Sequence, residues 1–116
     1  MRISIKLGAK IITASLTDSA TSRDFLSLLP LKINFEDYAA TEKIGYLPRK
    51  LSTIGAPAGV EPRTGDVTYY APWGNLALFH KDFQYSSGLI SLGKLESGLE
   101  ALRDSGSVTA TIELIK

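Results

Sequence analysis

The chain has 116 residues, 44% of them hydrophobic and 22% charged, with a net charge of +1 and no cysteine. That length suits one domain over residues 1–116 with a core of its own, and the composition excludes a disordered chain. The near-neutral, interspersed charge leaves no footprint for nucleic acid or an anionic membrane, and the lack of thiols removes disulfides and thiolate metal sites together.

In chain order, Ile3, Ile5 and Leu7 alternate with Arg2, Ser4 and Lys6, the pattern of a half-buried strand rather than of a signal peptide. Gly8-Ala9-Lys10 is a turn signal, and Ile11 to Leu16 completes a hairpin. Thr17 to Thr21 is rich in helix-capping residues. Phe25, Leu28 and Leu29 then mark one face of a short helix, with Thr21 and Asp24 spaced like a capping box and Pro30 as its stop. Leu31, Ile33 and Phe35 predict a third strand, Asp37 to Thr41 a turn, and Glu42 to Leu47 a fourth strand interrupted by Gly45. Residues Ser52 to Asp66, with three Gly and two Pro, read as a long loop of the kind that is functional or mobile. Strands at 66–71 and 76–80 flank a turn at Pro72-Trp73-Gly74-Asn75. Lys81 to Gly88 is a polar loop carrying Phe83 and Tyr85, and Leu89 to Leu92 is a short strand. After Gly93, Leu95, Leu99 and Leu102 predict a second helix closed by Ser105-Gly106, and Ser107 to Ile115 is the last strand. Seven or eight strands, mainly antiparallel, with two short helices fit a closed β-barrel capped at its ends. No apolar run approaches the ~20 residues of a membrane span, so no membrane partner and a cytoplasmic location are expected.

Chemistry is sparse. His80 is the only histidine, too few for a His-based metal site, and no Gly-x-Ser-x-Gly elbow is present. Glu36-Asp37 and Glu96/Glu100 read as solvated acid pairs, the second on an exposed helix face. Gly55-Ala56-Pro57-Ala58-Gly59 fits no phosphate-binding loop. Neither a metal nor a cofactor is expected. The aromatic residues carry more: Tyr70, Trp73, Phe79 and Phe83 are close in sequence, and an aromatic-lined cleft is a common form of site for a peptide or small molecule. Tyr46, Arg49 and Arg63 flank the same region and complete the candidate binding set.

The segment Gly65-Asp66-Val67-Thr68-Tyr69-Tyr70-Ala71-Pro72-Trp73-Gly74-Asn75-Leu76-Ala77-Leu78-Phe79, with Gly88 to Gly93, resembles the bacterial and archaeal cyclophilin-like family of small proteins. Arg23-Asp24-Phe25, Leu28-Leu29-Pro30-Leu31 and Tyr46-Leu47-Pro48 extend the likeness. The resemblance implies an eight-stranded cyclophilin-type barrel with two capping helices. Cyclophilins proper are peptidyl-prolyl isomerases, which need an arginine on the twisting amide and an apolar proline pocket but no acid, base or nucleophile. On that reading Arg49 is the candidate catalytic residue. The isomerase segment Phe-Met-x-Gln-Gly-Gly-Asp is replaced here by Tyr46-Leu47-Pro48-Arg49-Lys50-Leu51 in the comparable region. Three functions therefore follow: a binding domain for a peptide or small ligand, a weak or specialised prolyl isomerase, and a homo-oligomer assembly module built on exposed aromatics.

Overall fold

The computed structural model describes residues 1–104 and 106–116. Its strands are β1 (Arg2–Leu7), β2 (Lys10–Leu16), β3 (Leu31–Tyr38), β4 (Glu42–Tyr46), β5 (Gly59–Val60), β6 (Asp66–Tyr70), β7 (Asn75–Phe79), β8 (Ser86–Ser87), β9 (Leu89–Ser97) and β10 (Val108–Ile115). Eight of them close a barrel in the order β1-β10-β3-β4-β7-β6-β9-β2, and each neighbouring pair is antiparallel. β1 and β10 pair from Arg2 opposite Ile115 to Leu7 opposite Ala110. The two short strands, β5 and β8, form a separate ribbon, so the predicted 52–66 loop is not structureless.

The alternating apolar residues of the strands point inward. Ile3, Ile5, Ile12, Ala14, Ile33, Phe35, Val67, Tyr69, Leu76, Leu78, Leu92 and Ile112 form one buried cluster. Helix α1 (Ala20–Leu26) adds Phe25 to it, and α2 (Leu99–Leu102) adds Ala101 and Leu102. α1 follows β2 and α2 follows β9, strands that run antiparallel to each other, so the helices sit at opposite ends of the barrel. Ser19 is the N-cap of α1, its hydroxyl accepting from the Ser22 N–H at 3.1 Å. Thr21 is buried and donates to the Ser52 carbonyl at 2.7 Å, while the Asp24 carboxylate accepts from Arg49 and from the Ser52 N–H, so neither serves the expected capping box. The helix also stops at Leu26, leaving Leu28 and Leu29 packed against the core from the following turn.

The second helix is shorter than expected for a physical reason. β9 runs on through Gly93 to Ser97 and shifts register twice. Val67 and Thr68 face Gly93 and Ser91, which leaves Leu92 as an extra residue; Thr13 and Ala14 face Ser97 and Leu95, which leaves Glu96 as another. A bulge inserts one residue and resets the alternation, so Leu95 packs against the core from a strand, and of the three leucines expected to mark the helix only Leu99 and Leu102 lie in one. Gly93 is where β9 presses on β2: a Cβ there would lie 2.0 Å from the Ser15 carbonyl oxygen and 2.8 Å from the Leu16 Cα. Glu96 consequently belongs to a strand and receives Arg2, instead of sharing an exposed helix face with Glu100. Ser105, expected to close α2 with Gly106, lies outside the described residues. No helix among the described residues is long and apolar enough to cross a membrane.

Candidate functional site

Each strand of a barrel has an inner and an outer face, and on one side of this barrel the outer face is also covered. All five residues of β7 are buried, as are Glu42 to Gly45 of β4 and Asp66 to Tyr69 of β6. Inward come Lys43 and Gly45, Val67 and Tyr69, Leu76 and Leu78; a Cβ on Gly45 would meet the Ile33 and Phe35 side chains at about 3 Å. Outward come Glu42, Ile44, Asn75, Ala77, Phe79, Thr68, Tyr70 and Leu89. Register aligns them in rows, with Glu42 opposite Phe79, Ile44 opposite Ala77, and Asn75 opposite both Tyr46 and Tyr70. Ile44, Ala77, Phe79 and Leu89 form a second apolar cluster, with Val60 and Tyr70 packed on it. Strands covered on both faces lose the polar half of their alternation, which is why Leu76-Ala77-Leu78-Phe79 is continuously apolar.

A cavity of about 170 Å³ opens into this second cluster. Ile44, Phe79 and Leu89 supply its apolar lining, Tyr38, Tyr70, Trp73 and Phe83 add rings, and Glu42, Asn75 and Ser86 contribute polar groups. The backbone places each of these. The β6–β7 turn closes with Gly74 at φ +73°, its N–H donating to the Tyr70 carbonyl at 2.9 Å. That left-handed residue suits glycine and sets Trp73 beside Tyr70, with ring centroids 5.3 Å apart at 82°. Trp73 also meets Tyr38 of β3 edge to face, at 5.7 Å and 85°, across the intervening β4. Phe83 is held because its N–H donates to the Pro62 carbonyl at 3.1 Å, while Asp82 accepts from the Thr64 N–H and hydroxyl at 2.7 and 2.9 Å. Gly59 lets the β5–β8 ribbon close over the barrel: a Cβ would stand 2.4 Å from the Ser86 carbonyl oxygen.

The polar groups are under-satisfied. Glu42 is only 7% exposed, yet among the described residues it forms no ion pair, and its one contact is the Thr41 hydroxyl at 3.5 Å. Burial pushes its carboxyl up to about 7 from the ordinary 4.5. The Asn75 amide nitrogen donates to the Leu76 carbonyl at 3.0 Å, but its Oδ1 is buried with no donor. An acid with one long hydrogen bond and no cation, beside an amide oxygen with no donor, leaves this aromatic pocket short of positive and donor groups.

Of the residues singled out in the sequence, Tyr70, Trp73, Phe79 and Phe83 come together at this cavity. Tyr46, Arg49 and Arg63 are not in its lining. Arg49 is engaged elsewhere: its guanidinium holds the Asp24 carboxylate at 2.8 and 3.0 Å and also donates to the Ser27 hydroxyl and Lys50 carbonyl. The Arg49 guanidinium and the Ser52 N–H together keep the Asp24 carboxyl down at about 2. Arg63 pairs with Glu61 and approaches Asp82 at the surface, and Tyr46 is exposed. Other lining residues escape a reading of the sequence. Glu42 and Ile44 do share one strand face at period 2, but an acid at a strand start reads as solvated; Asn75 reads as a turn residue; Tyr38 lies in a predicted turn.

A second cavity lies beside the end of β7, lined by Asp37, Ala39, Ala40, His80, Lys81 and Arg103. His80 is buried, its Nδ1 lacks a partner, and burial together with the Arg103 and Lys81 charges lowers its pKa. Nearby Lys43 is 1% exposed and donates to Asp37 at 2.7 Å and the Gly106 carbonyl at 3.1 Å. Asp37 also accepts from the Gly106 N–H, so this acid is a structural anchor and not the freely solvated group expected. Among the described residues no cluster of His, Cys, Asp and Glu is arranged to hold a metal.

Comparison with known proteins agrees with this architecture. The solution structure of a hypothetical protein from Archaeoglobus fulgidus is similar, with a TM-score of 0.74 and 17% identity over 97% of this chain and 93% of that one. At that identity the likeness concerns the fold. No curated protein matches the chain. A family model described as the cyclophilin-like family matches residues 5–113. The match spans most of the barrel and both helices, and the chain belongs to the cyclophilin-like family.

Proposed function

We propose that this protein is a binding domain whose ligand enters the aromatic pocket on the outer face of β4, β6, β7 and β9. The observation that carries this reading is a concave, aromatic-lined cavity whose wall holds a buried acid with no cation partner, Glu42, and a buried amide oxygen, Asn75 Oδ1, with no donor among the described residues. A structural filler would leave neither the cavity nor an acid in it without a cation. The volume, about 170 Å³, is close to that of a protein cavity able to hold benzene, so the occupant is a small molecule or one side chain of a peptide. Binding is favoured over prolyl isomerisation because Arg49 is outside the pocket lining and bound to Asp24.

An amide-correlation NMR titration with one-ring fragments and capped single amino acids tests the site. The expected outcome is fast-exchange movement of the Tyr70, Phe79 and Leu89 amides and the Trp73 indole N–H, absent in a Phe79→Trp variant that fills the cavity. If no probe moves those signals at millimolar concentration, or if shifts map to another face, the proposal fails.

A further inference from the structure

We infer that the ligand of this pocket is a small organic cation carrying N–H donors, an alkylammonium or guanidinium group, held by the Glu42 carboxylate and by the faces of the surrounding rings. The inference rests on the pocket being a binding site and names the chemistry it selects.

Three features point the same way. Among the described residues Glu42 is the only charged one lining the cavity, and it has neither a cation partner nor a hydrogen bond shorter than 3.5 Å. A buried carboxylate is costly unless paired, so a site that keeps one without an internal cation is complementary to a positive ligand. Trp73 stands edge to face with both Tyr38 and Tyr70, and all three rings line the same cavity. Ring faces carry negative quadrupole density and attract ammonium and guanidinium ions, more strongly once both are desolvated. The remaining orphan atom, Asn75 Oδ1, is an acceptor as well. Its amide nitrogen is occupied by Leu76, so Asn75 can take a donor but has little to offer an acceptor. The unused groups of this wall thus attract cations and accept N–H bonds.

Register sets the ligand's shape. Glu42 faces Phe79 and Asn75 lies four residues back along β7, about 14 Å at ~3.4 Å per residue. Apolar Ile44 and Ala77 lie between them. A cationic head near Glu42 with a short apolar stem over Ile44 and Ala77 matches the polar end and the apolar middle of that row. A bulkier polycation exceeds the cavity.

The test compares n-butylammonium with its neutral near-isostere n-butanol by NMR titration of wild type and Glu42→Gln. For a probe of a few heavy atoms, Kd on the order of 1 mM is expected, well inside the ceiling on binding energy per atom. The inference requires butylammonium to bind the wild type at least about tenfold more tightly than butanol, and Glu42→Gln to abolish that preference while leaving butanol binding in place. Equal binding of the two probes, or a preference that survives Glu42→Gln, overturns the cation inference and leaves an apolar pocket. Binding of neither probe, nor of any fragment in the earlier titration, overturns both. Should Glu42→Gln not fold, the wild-type comparison alone decides the sign.

Discussion

Replacing Glu42 by Gln keeps the side chain's shape and removes its ionisation. In the folded chain burial holds this carboxyl at about 7, whereas an unstructured Glu titrates near 4.5. Between those values the folded state carries more protons than the unfolded one. Stability therefore falls as pH rises from about 4.5 to about 7 and then levels off. At about 1.4 kcal/mol per pH unit the full loss is about 3 kcal/mol, an upper bound since the pocket is open to water on one side. For a chain of this size that is roughly 10 °C in melting temperature. The expected outcome is that Glu42→Gln and wild type are of similar stability near pH 5, and that the variant is the more stable near pH 8. Urea unfolding followed by Trp73 emission at both pH values measures it. Other titrating groups, among them the depressed Asp24 and Asp37 and the neutral-leaning His80, are common to both proteins and cancel in the difference. A variant whose stability changes with pH as the wild type's does would refute the claim that Glu42 is desolvated without a partner. A residue that destabilises the free protein at neutral pH is also what a ligand-binding group is expected to be.

Two further outcomes follow from the backbone. Gly93→Ala forces a methyl group against the Ser15 carbonyl and Leu16 Cα, backbone atoms that no rotamer change can move, so a loss of about 3 kcal/mol or more is expected by urea titration; a loss under about 1 kcal/mol would mean that β2 and β9 separate easily there. In the Tyr38–Thr41 turn, Ala39 and Ala40 both have left-handed φ, 54° and 57°, a conformation that disfavours a Cβ. The double substitution Ala39→Asn with Ala40→Gly supplies the residue pair such a turn prefers. It is expected to raise stability by about 1 kcal/mol, seen as a higher melting temperature, and a lower one would contradict the left-handed turn.

How far the candidate site is legible depends on the residue. Tyr70, Trp73, Phe79 and Phe83 draw attention because large aromatics near a turn are few and informative. Glu42 does not, since its burial results from β7, the Tyr38 hairpin and the Phe83 loop all closing on it. Arg49 draws attention for its place near an aromatic segment, and the structure gives it to Asp24, 25 residues earlier in the chain.

Most of the strands, their inward residues and the closed barrel are written in the residue order, because side-chain alternation and turn residues act over a few neighbours. The period-2 signal fails at β9, where two bulges reset the alternation and Leu95, expected on a helix face, lies in a strand. Three outcomes needed the assembled barrel: the outer face of β7 is covered, a ribbon of residues 59–60 and 86–87 borders it, and a carboxyl without a cation partner lies inside. They depend on which strands become neighbours around the barrel, and burial, unlike alternation, is a property of what packs from elsewhere in the chain.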